Sequence, residues 1–118
     1  MKTLKTLNRK IQKILDQNDY TLVSIKKQKE EHIAELETYS PAGEDVIIDI
    51  WFDGTNKGFI DSFRQYALEF DPDEHAEMWV EFRGRRGVPH GIRELIDDAD
   101  AIQESLMTVS NALDMIAL

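Results

Sequence analysis

The chain has 118 residues, which suits one domain whose core needs no staples, and it has no cysteine, which excludes disulfides, thiolate nucleophiles and cysteine-ligated zinc. No apolar run approaches the roughly 20 residues that span a bilayer, and no apolar signal region follows the basic start Met1-Lys2-Thr3-Leu4-Lys5, so a cytoplasmic protein with no membrane partner is expected. The formal net charge is −9, slightly beyond the magnitude of about 2–8 usual for a small soluble domain.

The first element reads as a helix beginning at Lys2 or Thr3. Leu4, Leu7, Ile11, Ile14 and Leu15 recur at helical steps on one face, and the Asn18-Asp19 turn ends it. Tyr20 to Lys27 alternates, with Tyr20, Leu22 and Ser24 on one side and Thr21, Val23 and Ile25 on the other, which predicts a strand. Lys26 to Glu31 is polar and reads as a wide turn. In His32 to Ser40, Ile33, Leu36 and Tyr39 also suit a helix face, but a strand is preferred because a polar turn between two such runs makes a hairpin. Pro41-Ala42-Gly43 is a turn. Glu44 to Asp53 is the clearest strand: Val46, Ile48, Ile50 and Phe52 share a core face, with Ile47, Asp49, Trp51 and Asp53 on the other, and Gly54 to Gly58 breaks it.

Phe59, Phe63, Tyr66, Ala67 and Phe70 form the stripe of a second helix that stops at Asp71-Pro72-Asp73. Glu77 to Phe82 is expected to be a fourth strand, with Met78, Val80 and Phe82 alternating against Trp79 and Glu81. Arg83 to Gly91 is a glycine-rich loop. The final helix starts near Ile92, and Leu95, Ala99, Ile102, Leu106, Val109, Leu113 and Ile116 form an apolar seam of three heptads. That seam is expected to pack on its own domain, against the first helix; its other use is a homodimer through residues 92–116. The order α-β-β-β-α-β-α predicts a single α+β domain over residues 1–118, a small antiparallel sheet of about four strands packed against helices.

No serine sits in a glycine-flanked elbow. His32, His75 and His90 lie far apart without ligand spacing and are expected to be exposed structural residues; no catalytic residue, metal ligand or cofactor is assigned. Asp71-Pro72-Asp73-Glu74-His75 offers several ligand atoms but lacks the calcium-loop glycine, so capping of a helix by Asp71 or Asp73 is its expected role. Arg83, Arg85 and Arg86 interleave with Gly84, Gly87 and Gly91, beside His90. This loop is the alternative site, for an anionic ligand or a small enzyme centred on it together with Trp51 and Trp79.

Charge is distributed unevenly. Residues 1–29 hold eight basic and two acidic side chains; residues 30–118 hold six basic and 21 acidic. That excess disfavours direct binding of nucleic acid and favours a basic protein as partner. Glu94, Asp97, Asp98, Asp100 and Glu104 crowd the start of the last helix, more acids than its dipole requires; with Asp71, Asp73 and Glu74 they read either as a solvated face or as the candidate partner-binding face.

Tyr39-Ser40-Pro41-Ala42-Gly43-Glu44-Asp45, Phe70-Asp71-Pro72-Asp73-Glu74-His75, Met78-Trp79, Gly87-Val88-Pro89 and Asp97-Asp98 occur in that order. The series resembles a group of short proteins of gram-positive gut bacteria and their mobile elements. The resemblance spans about residues 39–107 and implies a bacterial cytosol and a mobile-element origin, with no activity to carry over. In size and charge alone the chain is similar to ArdA-type antirestriction proteins, which mimic DNA, and to anti-CRISPR proteins. The expected function is a non-enzymatic acidic module that binds a basic protein as an inhibitor or DNA mimic. The alternatives are a homo-oligomer built on the heptad helix, or a small ligand-binding protein or enzyme around Arg83–Gly91.

Overall fold

β-branched and aromatic residues at alternate positions form three strands in the computed structural model, which describes residues 7–85 and 88–117: β1 (Thr21–Gln28), β2 (Glu31–Tyr39) and β3 (Asp45–Phe52). They pair antiparallel in the order β1-β2-β3. The helices are α1 (Arg9–Gln17), α2 (Asn56–Glu69), α3 (Pro72–Trp79) and α4 (Ile92–Asp114), with a 3₁₀ turn at Val80–Phe82. The fold is α+β, a three-stranded antiparallel sheet with four helices.

Alternation along β3 sends Val46, Ile48, Ile50 and Phe52 into the core, while Ile47 and Trp51 on the other face stay exposed. From β2 the partners are Ala34 and Leu36, opposite Ile50 and Ile48. β1 does not keep one alternation throughout. The register shifts between Leu22, opposite Leu36, and Ser24, opposite Glu35, so Ile25 lands opposite Ala34. Val23 is the extra residue of a bulge. Beyond it the parity inverts, and Ile25 joins Leu22 against the core instead of lying opposite it as uninterrupted alternation predicts. The wide turn expected over 26–31 is also tighter: β1 runs to Gln28, which pairs with Glu31 across Lys29 and Glu30, and Lys29 takes φ +58° to close the turn.

Phe59, Ile60, Phe63 and Ala67 of α2 cover the sheet. Phe59 meets Phe52 edge-on at 5.5 Å, and Phe63 meets Tyr20 edge-on at 6.3 Å. Tyr20 is buried, and its hydroxyl hydrogen-bonds Ser105 Oγ of α4 at 2.9 Å, so the polar end of the ring keeps a partner. The α4 seam, Leu95, Ala99, Ile102, Leu106, Val109 and Leu113, is buried within the domain, its second half against α1 and α2 and its first half against α3. Arg64 of α2 holds Asp114 at the last turn of α4, with Nε 3.1 Å from Oδ2.

The fourth strand is not present. Residues 77–79 complete α3, and 80–82 form the 3₁₀ turn. Asp71 caps α3 by accepting from the N–H groups of Asp73 and Glu74, Pro72 stands in its first turn, and Asp73 and Glu74 suit its positive end. Once started as a helix, the segment places Ala76, Trp79 and Val80 at steps of three and four, and they pack on Leu95 and Ala99. Tertiary packing thus overrode an alternation that was equally compatible with a strand. α1 begins at Arg9, with Asn8 as its cap accepting from the Lys10 N–H; the predicted start at Lys2 or Thr3, with Leu4, lies outside the described residues.

One buried and one half-buried histidine correct the expectation of exposed ones. His32 is 7% exposed, and its ring lies so close to Gly54 that a Cβ there would stand 2.5 Å from the ring. Gly54, at φ +89°, is required by both the contact and the backbone. His75 is also drawn inward, and only His90 is exposed.

The core assignment predicts that Phe63→Ala lowers stability by about 3–5 kcal/mol. Chemical denaturation of the two proteins measures this; a difference below about 1 kcal/mol would contradict the burial of that ring.

Candidate functional site

Ser40 to Glu44 joins β2 to β3 in a turn that closes on itself. Gly43 N–H donates to the Ser40 carbonyl at 2.8 Å, Ser40 N–H to the Glu44 carbonyl at 2.9 Å, and Glu44 N–H to Ser40 Oγ at 2.9 Å. Gly43, at φ +94°, permits the reversal. Glu44 shares the parity of Val46, Ile48, Ile50 and Phe52, so alternation carries its carboxylate to the inner face, where it is 2% exposed.

Two helices grip this turn. From α3, His75 Nε2–H donates to Glu44 Oε1 at 2.7 Å. The imidazole is held between Phe70 and Trp79, at ring separations of 5.5 and 6.1 Å. From α4, Asp98 Oδ1 accepts the Ala42 N–H at 3.0 Å, and Asp98 is 5% exposed. The remaining oxygens, Glu44 Oε2 and Asp98 Oδ2, are buried without another hydrogen-bond partner.

These two carboxyl groups act on each other. Burial pushes the Asp98 carboxyl above its ordinary range; the Ser40 hydroxyl and the Ala42 N–H pull it down, and Glu44 beside it pushes it up again. Burial disfavours the charged form of Asp98, and the neighbouring Glu44 carboxyl adds to that push. Among the described residues no three His, Asp or Glu side chains form a metal-ligand set.

The predicted partner-binding residues divide. Asp71, Asp73 and Glu74 are exposed around the first turn of α3, and Glu94, Asp97, Asp100 and Glu104 are exposed along α4. Asp98 is not on that face. It shares the buried face of α4 with Leu95 and Ile102, and its Oδ1 reaches the Ala42 N–H of the β2–β3 turn. In the alternative loop, Arg83 and Arg85 are exposed, with Arg83 Nε donating to the Val80 carbonyl. The His90 ring lies against Gly84, which takes φ +80°. Arg86 lies outside the described residues. The sequence reading missed Ser40 and Glu44 as interacting residues and took His75 for a surface side chain. The available signal was the parity of Glu44, an acid at a core-facing position of the strongest strand.

Four clefts on the described surface share one electrostatic character. A cleft of about 320 Å³ beside His75 is lined by Glu69, Asp71 and Glu74 together with Tyr66, Phe70 and Met78. A second, of about 500 Å³, between Pro41-Ala42 and α4, is lined by Glu94, Asp97 and the edge of Asp98. A third, between α3 and α4, carries Asp73 and Glu77, and a fourth, beside Trp51, carries Asp49 and Glu69. No lysine or arginine lines any of them. No protein-family model, curated protein or solved structure matches the chain.

The raised Asp98 carboxyl fixes the sign of a pH effect. The folded state keeps a proton that the unfolded chain releases near pH 3.9, so this group's stabilisation is complete below that pH and is lost as pH rises through the higher folded value. Asp98→Asn keeps an acceptor for Ala42 and gives Glu44 Oε2 a permanent N–H donor. Melting temperatures compared between pH 4 and 8 are expected to show the variant gaining on the wild type as pH rises. Asp98→Ala, which removes the acceptor of the Ala42 N–H, is expected to cost about 1–3 kcal/mol. An Asp98→Asn protein that loses ground to the wild type with rising pH would refute the raised Asp98 carboxyl.

Proposed function

We propose that this chain is a non-enzymatic acidic binding module whose α3–α4 surface docks a basic protein. The observation that carries it is the lining of the four clefts: eight exposed carboxylate residues besides the buried Asp98 and, among the described residues, no lysine or arginine. A low-dielectric recess walled by one sign of charge concentrates its field, attracting cationic surfaces and rejecting phosphate. Glu94, Asp97, Asp100 and Glu104 extend that field along α4, and Asp71, Asp73 and Glu74 extend it around the start of α3. Support for a non-catalytic role comes from the buried network. A catalytic acid or base must come within hydrogen-bond reach of its substrate, whereas Glu44 and Asp98 are 2% and 5% exposed and turn their free oxygens inward. Within this role the chain acts as an inhibitor in the bacterial cytoplasm, occupying a basic surface that otherwise holds DNA.

Exposed ion pairs are worth about 0–1 kcal/mol each, so their sum sets the association rate and the sign of accepted partners. Reversing Asp97, Asp100 and Glu104 together to lysine is expected to leave the circular dichroism spectrum unchanged. Capture of basic proteins from bacterial lysate should weaken roughly tenfold or more at low salt, and the difference should shrink at high salt, where screening removes it. Duplex DNA added as competitor is expected to displace the captured protein. Equal capture by the folded reversal variant at low salt would show that this face is merely solvated.

A further inference from the structure

We propose that the groove between α3 and α4 receives an amphipathic helix of the basic partner, its apolar stripe on the groove floor and its lysine or arginine flanks over Asp73 and Glu77. This rests on the docking role proposed above and names the form the partner takes there.

The groove has a volume of about 310 Å³, and its floor is apolar: Ala76 and Val80 on one side, Ile92, Leu95 and Ile96 on the other. Ile92 is 54% exposed and Ile96 37% exposed, one helical turn apart, while Ile102 further along the same helix is 3% exposed. Two neighbouring isoleucines left in water beside an apolar recess form a surface on which burial is favourable, about 25 cal/mol per Å² of area covered. The charged residues lining the groove are Asp73 and Glu77, four positions apart on α3 and therefore on one rim. The one cation of α4, Arg93, does not line it. An apolar floor with an acidic rim is complementary to an apolar stripe with basic flanks.

The walls also select the conformation of the occupant. Both are helical, with backbone groups already bonded along their own axes, so neither offers a strand edge. An extended peptide pressed here would bury N–H and C=O groups with nothing to pair with, whereas a helix arrives with its own groups satisfied and presents anchors at steps of three and four. A second copy of this chain is a poor occupant. The apolar residues of its cationic helix α1, Ile11 and Leu15, are buried in its own core, and so is the α4 seam.

The test uses the full chain and a fluorescein-labelled helical peptide with leucines at i, i+3, i+4 and i+7 and lysines flanking them. Controls are a scrambled peptide of the same composition and one with glutamates in place of the lysines. Anisotropy titrations are expected to show the lysine-flanked helix binding at least tenfold tighter than either control. Ile92→Ser with Ile96→Ser should weaken it at least tenfold with the salt dependence retained, because both residues are exposed and the fold does not rest on them. Asp73→Asn with Glu77→Gln should weaken it and flatten the salt dependence. If the isoleucine variant binds as well as wild type while reversal of Asp97, Asp100 and Glu104 abolishes binding, the groove assignment falls and the acidic docking role stands. If neither change matters, both fall.

Discussion

A carboxylate buried at the end of a core strand imposes a demand that the surrounding structure has to meet. Glu44 enters the interior because β3 alternates and position 44 has the parity of its apolar residues. Left alone there, its charge would be costly. His75 meets the demand on one oxygen, and Asp98, whose carboxyl is pushed up by burial and by Glu44, lies beside it. The partners come from two helices distant in sequence, so the β2–β3 turn is tied at once to α3 and to α4. An unpaired buried charge disfavours any arrangement that moves either helix away, which makes such a network a device for specifying one packing.

The consequences reach the surface. α3 is only eight residues long, too short to persist without packing. It is held by its Asp71 cap, by His75 on Glu44 and by Ala76, Trp79 and Val80 against α4. Those inward contacts turn Asp73, Glu74 and Glu77 outward on one side of α3. In the same way Asp98 and the seam turn Glu94, Asp97, Asp100 and Glu104 outward along α4. Acids thus serve two physical roles within one helix. Burial raises the Asp98 carboxyl, while its neighbours Asp97 and Asp100 stand exposed to water.

The sheet contributes by leaving one face open. Among the described residues, helices cover the side of Ile48 and Ile50, and Ile47 and Trp51 on the other are exposed beside Glu35, Glu37, Asp45 and Asp49. Glu35 and Asp49 are direct cross-strand partners of like sign, an arrangement that disfavours strand pairing. The negative field is therefore not confined to α3 and α4, and the acidic lining of the cleft beside Trp51 belongs to it.

What the sequence determined by itself were the elements whose pattern has one physical solution. The alternation of Val46 to Phe52, the stripe of Phe59, Phe63 and Ala67, and the seam from Leu95 to Leu113 each bury one face only if the segment is strand, helix and helix respectively. The cap at Asp71 was equally legible, because an acid before proline and two further acids suit a helix start. Tertiary structure decided the rest. Met78 to Phe82 alternates well enough for a strand, and only packing of Ala76, Trp79 and Val80 on α4 makes it helical. A bulge at Val23 moved Ile25 to the core face because the extra residue inverts parity, an effect set by pairing with β2. Asp98 looks like Asp97 and Asp100 in a list of residues. Its burial, its raised carboxyl and its bond to Ala42 exist only because a turn 56 residues earlier in the chain comes to rest beside it.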